Sequence, residues 1–278
     1  MAITTSMIKE LRDATSLGIA DCKKALEQAG GDFDGAIKIL REKGAAVAAK
    51  RASKEAKEGK IEAIVTADAQ SGAMIEVNCE TDFVTRNEDF QAFVAELRGE
   101  ALDYESDKMA EGVADKVESK MATIGEKIQF RRNAKLDVEG TGSIASYIHM
   151  GGKVGVLVEL GCENSETLSN PVYKELAKDL TLHVAAAAPE YLVRDEVPAE
   201  TVESEKDIFR KQLEGKPENI MENILKGKIN KFYSQICFVE QGFVKDDKVS
   251  ITDFVAEKAK ELGDTITIKR YVRYQLGA

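Results

Sequence analysis

The groups in this 278-residue chain that could do chemistry are two histidines, four cysteines and many carboxylates. His149 falls in a 147–151 segment that reads as a hairpin turn, and His183 falls near the end of a helical segment. A lone histidine on a helix reads as a packed or capping residue before it reads as a base. Cys22, Cys79, Cys162 and Cys237 are far apart, with no Cys-x-x-Cys pair and no histidine at ligand spacing. Neither a zinc site nor a disulfide framework is expected; small buried hydrophobes in a reduced compartment fit better. There is no Gly-x-Ser-x-Gly elbow and no His-Glu-x-x-His, and neither glycine pair (residues 30 and 151) opens a phosphate loop. The expectation is a protein without a catalytic site, a cofactor or a metal.

A corner stands out instead. A strand ending at Cys79 runs into Glu80, Thr81, Asp82, Phe83, Val84, Thr85, Arg86 and Asn87. Asp82 or Asn87 can cap the helix that follows. Two readings are open for Phe83: a ring that projects as a wedge, or one tucked back under that helix. Sterics alone favour the tucked ring.

Corners need a scaffold, and the composition sets its class. Apolar residues make up 43% and charged residues 32%, which fits a globular protein of two or three domains. A net charge of −10 opposes attraction to nucleic acid or to an anionic membrane. No apolar run approaches the roughly 20 residues that cross a bilayer. With no basic leader at the N-terminus, a cytoplasmic protein is expected.

Residues 4–44 read as three helices. Met7, Ile8 and Leu11 line the first; Ile19, Cys22, Leu26 and Ala29 line the second; Phe33, Ile37 and Leu40 line the third. Gly30-Gly31 stops the second helix and Asp32 can cap the third. The Ser16-Leu17-Gly18-Ile19 loop exposes one or two apolar residues, as a docking loop would or as an ordinary tight turn does. The basic run at 45–60, including Lys50, Arg51, Lys54, Lys57 and Lys60, has no aromatic residue. It reads as a solvated connecting helix rather than a nucleic-acid arm.

The rest of the chain reads as a duplication. Strands at 60–65 and 73–80, with Ser71-Gly72 as the turn, match strands at 142–147 and 154–163. Each copy continues into a helix, with Phe90, Phe93 and Leu97 in one and Tyr173, Leu176 and Leu180 in the other. Each closes on a glycine-opened strand, 125–132 or 263–270, whose alternation implies a sheet with one buried face. Cys79 to Cys162 is 83 positions and Gly125 to Gly263 is 138, so the second copy carries about 55 extra residues. They fall between Pro189 and Lys248. Pro198 can start a helix, Gly215-Lys216-Pro217 breaks it, and a second helix runs to about Cys237. Val202, Phe209 and Leu213 can face Met221, Leu225, Phe232 and Ile236, giving an antiparallel helical hairpin.

At these residues the chain resembles the bacterial elongation factor Ts family. The resemblance is carried by Asp21-Cys22-Lys23-Lys24-Ala25-Leu26, residues 79–84, Phe90-Gln91-Ala92-Phe93, Ile124-Gly125-Glu126 and residues 149–158, and it covers nearly the whole chain. It implies an α+β fold: a UBA-like three-helix module (1–45), a linker helix (46–59), and core subdomains at 60–140 and 141–278. The core is duplicated, with antiparallel sheets and a helical hairpin inserted at about 195–240.

The implied activity is non-enzymatic guanine nucleotide exchange on the translational GTPase EF-Tu. The implied site is Thr81, Asp82, Phe83 and Val84 as the wedge loop, with Ile124 and Gly125 touching the same GTPase domain. His149 and Met150 would contact another part of the partner, and Lys23, Leu17 and Gly18 would contact the GTPase domain from the N-terminal module. No direct nucleic-acid or membrane partner is implied, and a homodimer within the complex stays open. Two departures stand out. Ser16-Leu17-Gly18 replaces the family's usual Gly-Ala-Gly, and the chain stops at Gly277-Ala278, where some members carry a further helix. Outside the resemblance, a ubiquitin-associated-type adaptor and an RNA-binding factor are the rival classes.

Overall fold

The computed structural model describes residues 3–15, 17–51, 53–213 and 218–278. Ser16, the side chain of Lys50 and the expected break at Gly215-Lys216-Pro217 lie outside the described residues.

Helices α1 (Thr5–Thr15), α2 (Ile19–Gln28) and α3 (Phe33–Arg51) enclose a small core of Leu11, Cys22, Ala25, Leu26, Ala36 and Leu40. Gly30 and Gly31 take positive φ after α2, and Asp32 Oδ2 accepts the Gly35 amide at 2.8 Å. Two expectations need correction. Ile19 is 57% exposed, because it opens α2 ahead of the turn that meets the core, and Ala25 takes the inner place. The third helix does not give way to a separate linker helix near residue 45. It runs unbroken to Arg51, through an alanine-rich stretch of high helix propensity. Gly44 is tolerated inside it because it lies buried against a later helix, where an added Cβ would sit 3.5 Å from that of Ala122.

The core is four layers, helix–sheet–sheet–helix. Strands β1 (Glu58–Val65), β2 (Ser71–Cys79) and β3 (Ile128–Asp137) form one antiparallel sheet in that order. Helix α4 (Asp82–Thr85), α5 (Glu88–Glu100), α6 (Met109–Gly112) and α7 (Ala114–Ile124) lie between β2 and β3 in the chain. Strands β4 (Gly142–His149) and β5 (Val154–Cys162) belong to the second sheet. The chain continues through α8 (Pro171–Ala187), α9 (Ala199–Gln212), α10 (Glu218–Ile236), the short pair β6 (Gly242–Phe243) and β7 (Asp246–Ser250), α11 (Ile251–Leu262) and β8 (Ile266–Gln275). The order of the second sheet is β4-β5-β8, again antiparallel.

The sheets face each other through Ile61, Met74 and Leu136 on one side and Ile144, Leu157 and Tyr274 on the other. Phe90, Val94 and Leu97 of α5 cover the outer face of the first sheet, and Leu176, Leu180 and Val255 cover that of the second. Both faces of each sheet are therefore covered, not one. Alternation survives in the first half of β3, while β2 and β5 are buried along nearly their whole length.

Ser71 and Gly72 are not the turn; they are the first residues of β2, with Gly72 opposite Val65. The turn is 66–70, where Asp68 Oδ1 accepts the Gln70 amide and the Thr66 hydroxyl, and Ala69 takes φ 58°. Gly72 is needed by the sandwich: a Cβ there would stand 2.7 Å from Ile144 of the facing sheet.

The additional length of the second copy lies between α8 and α11. Val202 shares a cluster with Phe232, Tyr233, Ile236 and Cys237, and farther along Lys228 lies over the Phe209 ring. Ile229, which the expected stripe omits, is buried there as well.

Candidate functional site

The corner after β2 is built as a clamped platform. Thr81 is extended (φ −128°, ψ 155°), and α4 is a single turn in which the Thr85 hydroxyl donates to Asp82 O at 2.6 Å. Arg86 pairs with Asp82 at 2.9 Å. Asn87 caps α5 by accepting the amides of Asp89 and Phe90 at 2.8 and 3.3 Å, so the cap is Asn87 and not Asp82. Val84 turns inward to 8% exposure in the α5 core, and Phe83 turns outward to 78%. Of the two sequence readings, the ring projects.

Two carboxylates hold the corner. Glu126, just past α7, accepts the Thr81 amide at 3.1 Å and its hydroxyl at 3.0 Å. Both Glu80 oxygens accept from Arg51 Nη1 at 2.9 Å, and Oε1 also accepts the Lys127 amide at 2.6 Å. Cys79 beneath them donates to Thr81 O at 3.2 Å. Its thiol is pushed up to about 12, chiefly by burial and then by the Glu126 carboxylate, so it is a neutral packing group at physiological pH. Gly125 ends α7 with φ 81°, and the half-buried Ile124 precedes it. Glu126 thereby joins Ile124 and Gly125 to the Thr81–Val84 corner.

The duplication supplies an internal comparison. At the offset of 83, Cys162 donates to Asn164 O, Asn170 caps α8, Tyr173 stands where Phe90 stands, and buried Thr167 stands where Val84 stands. Asp264 follows Gly263 as Glu126 follows Gly125, and accepts the Glu163 and Asn164 amides at 3.2 and 3.1 Å and the Thr167 hydroxyl at 2.6 Å. The residue at the place of Phe83 is Glu166, which is also exposed. The same corner folds with a glutamate at its tip, so the scaffold does not require the aromatic ring.

His149 and Met150 form the tip of the β4–β5 hairpin. His149 is exposed, with the Tyr147 hydroxyl 2.9 Å from Nδ1, and Met150 is 72% exposed at φ 48°. This tip lies at the same end of the sandwich as the corner: Glu58, opposite Cys79 in the first sheet, accepts Lys153 from the hairpin, and Gly152 O accepts the Ile61 amide at 2.8 Å. In the N-terminal helices, Gly18 is the N-cap of α2 and Leu17 is half-buried. Lys23 is exposed beside Glu27 at 3.8 Å. The apolar group exposed in that loop is Ile19.

The other histidine lies apart from these surfaces. His183 is fully buried in α8, stacked on Phe238, with Nε2 donating to Gln241 at 2.9 Å and Nδ1 accepting the Val244 amide at 3.2 Å. Burial holds its pKa below the ordinary histidine value, against the raising effect of the Gln241 hydrogen bond. A cleft of about 500 Å³ between the N-terminal helices and α5/α7 is lined by Leu17, Ile37, Arg41, Glu96, Lys116 and Thr123; Lys116 already pairs with Glu96 at 2.8 Å. Among the described residues no group of His, Cys, Asp or Glu is arranged to hold a metal ion, and no helix is long and apolar enough to cross a membrane.

Sequence reasoning misses Arg51, Glu80 and Glu126 as the clamp. The signal was present in part, since Cys79-Glu80 and Cys162-Glu163 end equivalent strands and Glu126 and Asp264 follow equivalent glycines.

A family model described as elongation factor TS matches residues 80–278. Elongation factor Ts of Trichlorobacter lovleyi is 42% identical, covering 100% of this chain and 93% of its own length. The Clostridium botulinum protein of the same name is 42% identical over 99% of this chain and 93% of its own length. That of Nitratidesulfovibrio vulgaris is 40% identical over 100% of this chain and 96% of its own.

Proposed function

The chain belongs to the elongation factor Ts family, and on that premise we propose that it is a non-enzymatic guanine nucleotide exchange factor for the GTPase EF-Tu, with Phe83 as its wedge. The observation that carries the reading is an aromatic ring 78% exposed on a doubly clamped corner whose structural duplicate bears Glu166. An exposed ring on a rigid mount is costly in water and suits insertion into another protein.

Exchange needs no acid or base. The factor binds the empty GTPase better than the loaded one, and by linkage the nucleotide is weakened to the same degree. Phe83 enters between helices of the GTPase domain and displaces the loops that hold Mg²⁺ and phosphate. Burying an aromatic ring on a partner is worth about 4 kcal/mol gross. That equals roughly a thousandfold weakening of nucleotide, so one wedge is of the right size. Asp82, held by Arg86, contacts the same region, as do Ile124 and Gly125. His149 and Met150 grip a second part of EF-Tu, and Lys23, Leu17 and Gly18 contact the GTPase domain from the N-terminal helices.

In this reading residues 1–45 are a UBA-like attachment module and 60–140 and 141–278 are the two core halves. Helices α9 and α10 are an inserted antiparallel hairpin that extends reach. The factor acts in the cytoplasm, without direct contact to nucleic acid or membrane, as a monomer or as a homodimer within the complex. Release of a fluorescent GDP analogue from purified EF-Tu tests the reading. The chain accelerates release and Phe83→Ala loses most of the acceleration; an undiminished rate removes Phe83 from the role.

A further inference from the structure

We propose that Arg51 is a positioning residue for exchange: as the last residue of α3, it locks the pose of the Phe83 corner through Glu80 and so couples the N-terminal helices to the wedge. The proposal rests on reading Phe83 as the wedge.

The geometry is specific to this copy of the repeat. Both carboxylate oxygens of Glu80 accept from Arg51 Nη1 at 2.9 Å, and the Glu80 side chain is only 15% exposed. On the far side of the corner, Lys127 Nζ donates to Lys54 O at 2.8 Å, so the segment closing α3 holds both the strand end and the start of the returning strand. Glu163, the duplicate of Glu80, is exposed, and no ion pair is made to it among the described residues. Among the described residues the second corner has the Asp264 clamp but no counterpart of Arg51. Two corners share one carboxylate latch, and only the one bearing an aromatic tip carries a second.

That second latch leads somewhere. Helix α3 is one element of 19 residues, about 28 Å long. Its first half packs on α2, Gly44 seats it on α7, and its last residue is Arg51. A continuous helix transmits displacement along its axis, so holding the N-terminal helices on a partner biases the corner, and the reverse. Both bonds leave the single nitrogen Nη1, so the guanidinium holds Glu80 as one charged donor set between its two oxygens and fixes where the carboxylate sits.

The test has two arms on the full chain. In the free protein, amide hydrogen exchange is followed at residues 81–85, with residues 164–168 as the internal reference. Arg51→Ala is expected to speed exchange at the first corner about fivefold and leave the second unchanged. Arg51→Lys recovers part of the protection. With EF-Tu, release of fluorescent GDP is measured over a range of factor concentrations. Arg51→Ala is expected to lower the maximal rate about fivefold at an unchanged half-saturating concentration, and to add nothing in a Phe83→Ala background. Unchanged exchange at residues 81–85, or an equal loss of rate with and without Phe83, overturns the proposal. Should Phe83→Ala itself leave release unaltered, the wedge reading falls, while the exchange arm still decides whether Arg51 holds the corner.

Discussion

Glu76 and Glu159 occupy the same place in the two sheets, each shut away from solvent at the bulge of a middle strand and each bound by an arginine from the third strand. Arg132 Nε reaches Glu76 at 2.8 Å and Arg270 Nε reaches Glu159 at 2.6 Å. The ladder registers shift at Glu76/Val77 and at Glu159/Leu160. A bulge leaves backbone groups unpaired and turns a strand, and a buried carboxylate beside it is held by whatever donors surround it. Glu76 takes Asn78 and the Gly277 amide as well, at 3.1 and 2.9 Å, and Glu159 takes the Glu139 amide at 2.9 Å.

Removing one member of such a pair strands the other. Glu76→Ala is expected to destabilise the fold by about 2 kcal/mol, since it removes the buried acceptor shared by Asn78, the Gly277 amide and a partly exposed Arg132. Urea unfolding checks it. A loss below about 1 kcal/mol means that water takes the place of the carboxylate at these donors.

At the exposed corner, Phe83→Ala is expected to change stability by less than about 0.5 kcal/mol, because the ring touches little of its own protein. It abolishes most accelerated GDP release from EF-Tu. Glu166→Ala, at the duplicate corner, leaves release unchanged. A thermal melt and a release assay on both variants separate folding from exchange.

The carboxylate latches give a second comparison. Glu126→Ala frees the Thr81 amide and Asp264→Ala frees those of Glu163 and Asn164, and both are expected to lower the melting temperature. The first alone slows exchange. Equal slowing by both shows that general loosening of the fold, not the pose of Phe83, limits the rate.

His149→Ala is expected to weaken the complex with EF-Tu about tenfold while sparing the maximal release rate. Titration calorimetry against nucleotide-free EF-Tu, paired with release at saturation, reads the two effects separately. Unaltered affinity places the second contact elsewhere.

His183 sets a pH dependence of folding. Its folded-state pKa is lowered by burial, so the unfolded chain binds the proton more readily. Stability is therefore full above the ordinary histidine value of about 6.5 and is lost as pH falls below it. Denaturant midpoints between pH 7.5 and 5 are expected to decline, and His183→Gln flattens that slope while lowering the plateau.

Much of this architecture is legible in the sequence because the duplication keeps length. From Cys79 to Leu97 the offset to the second copy is constant, and Asn87/Asn170 and Phe90/Tyr173 mark the same helix start twice. What is not legible depends on neighbours distant in the chain. Ser71-Gly72 reads as a turn, but its glycine is required by Ile144 of the other sheet. Nothing in the spacing marks Glu76 and Glu159 as buried; that depends on where Arg132 and Arg270 come to lie. Ile19 fits a helical stripe, yet it lies beyond the edge of the core that the stripe faces. The direction of the Phe83 ring follows from Val84 taking the only inward position, which spacing cannot assign to one neighbour over the other.

The tie between Glu58 and Lys153 has a consequence for any partner held at both ends of this surface. It joins the hairpin tip to the strand opposite Cys79, and Gly72 and Gly155 let the two sheets close with no slack between them. In the proposed reading the Phe83 corner and the Met150 tip act as the jaws of a fixed-gauge caliper. A protein whose two matching surfaces stand at that span is gripped without strain, and one that must widen or narrow to fit bears the whole deformation itself.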